Sequence, residues 1–188
     1  MNLEKMFEMQ KALDERIIKE KGLEGQDLLP NLILALQVEL AECANEWRGF
    51  KHWSNDREPR TKHPLEVSPN GAFRKGGNPL LEEYVDCLHF ILSIGNRIGF
   101  NNDATIQQII KRSKEREVET NIGIGKVFSH LMSLVFGFYF SIEDEGTYVR
   151  SFERFLNLGK MLGFTPEQIE AAYMEKNAVN HQRQQEGY

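Results

Sequence analysis

Five carboxylates stand where carboxylates are costly. Glu39, Glu42 and Glu46 occupy i, i+3 and i+7 of a segment whose first half, Leu32 to Leu40, is apolar on nearly every side. In a helix that spacing puts all three acids on one face. Glu83 and Asp86 repeat the i, i+3 interval in a second apolar segment that begins at Asn78-Pro79. Stacked like charges repel, and a carboxylate withdrawn from water needs a partner. Two such helices facing each other need a cation between them, and oxygen-only ligands select a hard ion, Mg²⁺ or Mn²⁺. The alternative is a pair of solvated acidic faces. Either pair alone suits that alternative. Their joint occurrence on the two most apolar helices is what points to a metal.

Other residues carry a double meaning. Gln10 falls on the apolar stripe of the first segment, as a satisfied core amide or as the reader of a ligand's edge. His89 follows Asp86 by three residues on the same face, placed to bond a ligand, join the metal site or cap a core contact. Trp53, after Phe50-Lys51-His52, is a packing aromatic or a stacking platform for a base. Gly123-Ile124-Gly125-Lys126 lacks the full spacing and the Ser/Thr of a phosphate loop and is set aside. Near the C-terminus, Lys176, Asn180 and Arg183 share one helical face. Such a face suits a polyphosphate, with lysine as a point charge and arginine as a fork. The plain alternative is a frayed polar helix.

The elements that must position these residues are helical. Leu3, Met6, Phe7, Gln10, Leu13 and Ile17 form an amphipathic stripe closed by Gly22 and Gly25. A second helix runs from Asn31 to about Arg48, where Gly49 stops it. Asn78-Pro79 opens a third that reaches about Ile98. Further helices are predicted at about 104–119, 127–140 and 147–162, and Thr165-Pro166 starts the last. Residues 54–78 hold six of the chain's punctuating prolines and glycines and read as a long loop, of the kind that serves as a lid or mobile segment. No segment shows strand alternation. The expectation is one all-α domain, a bundle of six or seven helices with a four-helix metal-binding core.

The 188 residues suffice for a buried core without disulfides. A net charge of −5 argues against a protein that coats nucleic acid or anionic membrane. Cys43 and Cys87 form no disulfide framework, and Met1 to Gln10 is no signal peptide, so the cytoplasm is expected. The longest apolar run, Val127 to Phe140, is too short to span a bilayer. It fills the monomer core or offers a subunit interface.

Taken together these residues resemble the dimeric, all-α dUTPase family, within the wider group of all-α nucleotide pyrophosphatases that includes MazG-like proteins. The group's ExxE and ExxD correspond to Glu39-Leu-Ala-Glu42 and Glu83-Tyr-Val-Asp86. The dUTPase branch is matched by Gln10, by Asn45 and Phe50-Lys51-His52-Trp53, by His89, and by the ending from Lys176-Asn177 through Asn180 and Arg183 to Gly187-Tyr188. The resemblance covers roughly residues 3–188. It implies Mg²⁺-dependent hydrolysis of dUTP, and of dUDP as a second substrate, to dUMP by a homodimer. It places Glu39, Glu42, Glu83 and Asp86 on the metal. It puts Lys176, Arg183, Lys51 and Tyr188 on the phosphates, with Asn177 in the same segment. Gln10, Trp53, His89 and Asn180 would enclose the deoxyuridine. Asp14 departs from the Asn common in the family at a position near the nucleoside, and the 40 residues between Glu42 and Glu83 make a long connection. The general base is Glu42 by family analogy and Glu46 by geometry, since a proton acceptor needs a free lone pair. Rival readings are an all-α pyrophosphatase for dCTP or several nucleotides, a di-iron bundle, which would need ExxH on two helices, and a non-catalytic interaction module.

Overall fold

Capping chemistry sets the starts of the helices. Asn2 accepts from Lys5 N at 3.1 Å and opens α1 (Leu3–Glu20). Asn78 accepts from Leu81 N at 3.2 Å, with Pro79 first in α3 (Pro79–Ile98). Thr165 and Gln168 form a reciprocal capping box at the head of α7 (Pro166–Gln185). Between them lie α2 (Leu29–Trp47), α4 (Asp103–Glu115), α5 (Ile124–Phe138) and α6 (Glu145–Met161). The computed structural model describes residues 1–68, 71–74, 76–116, 122–138, 140 and 144–187, and the side chains of 67–68 and 71–74 lie outside that description. The fold is all-α, with seven helices among the described residues. None of them is long and apolar enough to cross a membrane.

The helices form two groups joined chiefly where α2 packs on α5, with α3 also touching α6. On one side α1, α2 and α7 pack around α3; on the other, α6 carries α4 and α5. Three fully buried tyrosines pin these groups. Tyr84 of α3 donates to Phe155 O and stacks on the Phe155 ring at 4.2 Å, while Tyr148 of α6 donates to Ile91 O. A Cβ on Gly95 would overlap the Tyr148 hydroxyl, and one on Gly159 would overlap that of Tyr84. Each tyrosine thus sits against a glycine of the opposite helix. Tyr173 of α7 donates to Met6 O of α1 at 3.0 Å.

Three local features differ from the sequence expectation. The left-handed residue ending α2 is Arg48 (φ 63°), not Gly49. A non-glycine residue is strained there. The buried Arg48 guanidinium offsets this by binding Asp56, at 3.2 Å to the carboxylate and 2.7 Å to its carbonyl. Gly49 is needed instead because a Cβ would enter the Trp47 ring. Second, residues 54–78 are not all loop: β1 (Leu65–Ser68) pairs antiparallel with β2 (Gly71–Arg74), Leu65 opposite Arg74. The strands, four residues each, are too short for alternation to reveal them. Third, the segment is tied down at Arg60. Its N–H reaches Glu46 O, its carbonyl accepts from Leu80 N, and its guanidinium meets Glu46 Oε1 at 2.9 Å. The apolar helix α5 turns Val127, Leu131 and Val135 into the core and leaves Phe136 more than half exposed.

Candidate active site

Helices α2 and α3 lie side by side, and their i, i+3 acids meet. One oxygen each from Glu39, Glu83 and Asp86 lies within 4.8 Å of the others. All three are half-buried. Burial, then the mutual charges of Asp86 and Glu42, push Glu39 up to about 7. Burial, Asp86, Glu39 and Glu42 do the same to Glu83, also about 7. Burial raises Asp86, against the pull of Lys176, whose Nζ donates to Asp86 Oδ2 at 2.5 Å. Glu42 is exposed and outside the triad, although its charge is felt by both glutamates. Lys176, with the charge of Arg183 also acting on Asp86, does not neutralise Glu39, Glu42, Glu83 and Asp86 together. An oxygen-only donor set with excess negative charge fits a divalent hard cation.

A hydrogen-bonded network lies beside the acids. His89, Gln10, Asp14, Ser93 and Tyr173 are joined through one amide. Gln10 Oε1 accepts from His89 Nδ1 at 2.6 Å and from Tyr173 OH at 3.1 Å. Gln10 Nε2 donates to Asp14 Oδ1 at 2.8 Å and to Ser93 Oγ at 3.0 Å. Ser93 Oγ in turn donates to Asp14 Oδ1 at 3.0 Å. Because the Gln10 oxygen can only accept, His89 carries its proton on Nδ1. Its Nε2 is left as a buried acceptor with no partner among the described residues. Burial, then the Lys176 charge, lowers His89 to about 3, so the ring is neutral. The ring also stacks on Tyr173 at 4.4 Å.

Both groups open on one cleft of about 480 Å³ between α1, α2, α3 and α7. At one end are Glu39, Asp86, Lys176, Asn180 and Arg183; at the other Gln10, Asp14, His89 and Ser93, with an apolar wall that includes Ile17, Leu32 and Phe90. A cleft with a hydrogen-bonding end beside an apolar wall and an end mixing acids with cations suits a ligand with a flat polar ring and a phosphate tail. A family model described as dUTPase matches residues 2–67 and 71–188.

The chain belongs to the all-α dUTPase family. It is therefore a dUTP diphosphatase, an enzyme of nucleotide metabolism. Among curated proteins, none matches the chain significantly.

The residues expected from sequence separate into two sets. Gln10, Asp14, Glu39, Asp86, His89, Lys176, Asn180 and Arg183 line the cleft, with Glu83 beside them in the acidic cluster. Glu46 does not join that cluster; its carboxylate is held by Arg60. Lys51 bonds Asn45, and Trp53 is two-thirds exposed against Phe50 and His52; neither lines the cleft. Asn177 is buried one turn after Tyr173 on α7, and its Nδ2 has no partner among the described residues. Tyr188 lies outside the described residues. Sequence reasoning passed over Ser93 and the supporting role of Tyr173. Ser93 stands one turn after His89 and two after Asp86, a helical spacing that carried the signal.

Proposed function

We propose that the chain hydrolyses dUTP to dUMP and pyrophosphate with Mg²⁺ held by Glu39, Glu83 and Asp86, Glu42 standing at the edge of the site. Mn²⁺ replaces Mg²⁺ in such an oxygen site. The observation that carries this proposal is the continuity of one cleft from the Gln10 network to the acidic cluster. The uracil ring lies at the Gln10–His89 end, where His89 Nε2 accepts from the ring N3–H. The phosphates lie toward Lys176 and Arg183, which supply positive charge from α7. The bound ion supplies charge neutralisation at the phosphates, the main requirement of phosphoryl transfer.

The chain's own residues do the rest. Lys176 and Arg183 orient the phosphates for in-line attack of water on the α-phosphorus. Glu42 takes the proton of that water on a carboxylate oxygen, and pyrophosphate leaves. Glu42 is preferred over Glu46 because Arg60 occupies the Glu46 carboxylate. The same arrangement cleaves dUDP to dUMP and phosphate. The chain acts as a homodimer in a reducing compartment. Leu34 and Val38, exposed one turn apart on α2, offer an apolar stripe to a second copy.

The test is pyrophosphate release from dUTP, dCTP, dTTP and UTP at neutral pH, with and without Mg²⁺, beside Glu42→Gln. Expected is Mg²⁺-dependent turnover strongly favouring dUTP and lost in the variant. Turnover that persists in EDTA or in Glu42→Gln would overturn the metal and base assignments.

A further inference from the structure

Within the Gln10 network the side-chain hydrogens are all committed. Both hydrogens of the Gln10 amide go to Asp14 and Ser93, and the Ser93 hydroxyl hydrogen goes to Asp14. His89 Nδ1–H and Tyr173 O–H point at Gln10, the latter shared with Met6 O. The backbone N–H groups of Gln10, Asp14, His89 and Ser93 lie inside helices and are spent there. What remains is acceptors. Among the described residues His89 Nε2 has no partner, and Asp14, whose Oδ1 takes both donors, lines the cleft with an Oδ2 that none of them engages. A uracil ring carries one N–H flanked by two carbonyls. His89 Nε2 satisfies the N–H, but nothing in this group donates to a carbonyl.

We propose that Asp14 reads the base as a neutral acid: Oδ2 carries a proton taken from solvent and donates it in a hydrogen bond to a uracil carbonyl, adding a pH-dependent part to the choice of uracil over cytosine that His89 Nε2 already makes at ring N3. With Asp14 ionised, Oδ2 instead accepts from the exocyclic amino group of cytosine. Uracil binding is then coupled to proton uptake, whereas dCTP gains relative to dUTP as pH rises. The proposal rests on the base lying at this end of the cleft.

The surroundings permit it. Among the described residues no lysine or arginine pairs with Asp14. Glu15, its neighbour on α1, adds repulsion, and burial is the larger cause that brings the carboxyl up to about 6. Tyr173 on α7 and His89 on α3 face the network as neutral groups. Lys11 and Arg97 line the same cleft and favour the ionised form, while Glu39 from α2 opposes them. An acid poised near 6 with no cation paired to it among the described residues gains a proton readily when a carbonyl oxygen is pressed against it.

The experiment is calorimetry of 2′-deoxyuridine, which has no phosphate to titrate, in two buffers of different ionisation enthalpy. Wild type is compared with Asp14→Asn at about pH 7.5, where the proposal expects uptake of about one proton by the wild type and none by the variant. Where the nucleoside binds too weakly, the α,β-imido analogue of dUTP takes its place, and the difference between the two proteins is read. In steady state, wild-type KM for dUTP rises roughly tenfold per pH unit above about 7, and Asp14→Asn, whose amide always donates, stays flat. The dCTP:dUTP ratio of kcat/KM climbs with pH in the wild type only. Binding without extra proton uptake, or KM profiles that run parallel in the two proteins, overturns the proposal. If Asp14→Asn and Asp14→Leu leave the affinity for deoxyuridine untouched at every pH, the base does not lie here, and its placement fails rather than the protonation of Asp14.

Discussion

The two ends of the cleft are built on opposite principles. At the Gln10 end nearly every polar hydrogen has a protein acceptor, so the network is held in place before any ligand arrives. At the acidic end Glu39, Glu83 and Asp86 crowd together, and their carboxyls are all raised above the ordinary range. The first end contributes to stability. The second costs stability and is completed by charge from outside, the usual separation between a preorganised recognition surface and a strained reaction centre.

The largest effect that sharpens this contrast is expected at Glu83. Glu83→Gln removes a carboxylate charge from the proposed metal site and should lower kcat by about 10²–10³-fold. It also removes a repelling charge, so the metal-free variant should melt above the metal-free wild type. Activity and stability move in opposite directions, which calorimetry beside a pyrophosphate assay would show. A parallel loss of both would make Glu83 a structural residue and end the contrast.

Gln10→Met is the complementary cut. It keeps the volume but strands the His89, Asp14, Ser93 and Tyr173 partners, at a cost of about 2–4 kcal/mol by denaturant unfolding. Here activity and stability should fall together, because the same bonds serve both. An unchanged midpoint would mean that the network repacks and is not preorganised.

A third contrast lies in pH. Glu39 and Glu83 sit near 7 when folded against an ordinary 4.5, so the folded metal-free chain binds more protons than the unfolded chain across that interval. Stability from this source is full below about 4.5 and lost as pH rises through about 7. Asp14 adds in the same direction, through about 6. His89 works the other way: its folded value near 3 lies below the ordinary 6.5, so its share is full above 6.5 and lost as pH falls toward 3. These windows overlap, so the informative quantity is the shift in Tm caused by Mg²⁺. Protons compete with the ion at Glu39 and Glu83, and the shift should be small near pH 5 and grow by several degrees up to about pH 8. The increment should survive in Gln10→Met and vanish in Glu83→Gln. A shift independent of pH would place the ion elsewhere.

Much of this was legible in the sequence because helices convert spacing into position. The i, i+3 acids of two apolar segments predicted that Glu39 and Asp86 would share a cleft, and the Asn78-Pro79 start of α3 follows from capping alone. The same rule placed Glu46 on the face of Glu39, two turns on, but two turns is about 10 Å along the axis, where another neighbour can intervene. That neighbour is Arg60, from a segment whose path no periodicity encodes. Loops defeat the method for this reason: Trp53 and Lys51 follow α2 closely in sequence, yet the chain leaves the cleft once Arg48 turns it left-handed. Ser93 was missed for a different reason. A serine on a helix face signals nothing until its hydrogen-bond partner, here Asp14 on another helix, is known.

The smallest expected effect concerns that same arginine. Arg60→Ala deletes a pair in which the arginine is half-exposed, and such pairs are worth under about 1 kcal/mol. The backbone bonds from Arg60 to Glu46 and Leu80 remain, so the strap across the ends of α2 and α3 should hold. Turnover should change only a few-fold. Glu46→Gln should be equally mild if Glu42 takes the proton, because Glu46 then does no more than anchor Arg60. Measured together, kcat for Glu42→Gln and Glu46→Gln divides the acidic helix between chemistry and scaffold. A collapse confined to Glu46→Gln, with Arg60→Ala raising kcat by freeing the carboxylate, would move the base one turn along α2 and extend the reaction centre into the region assigned here to support.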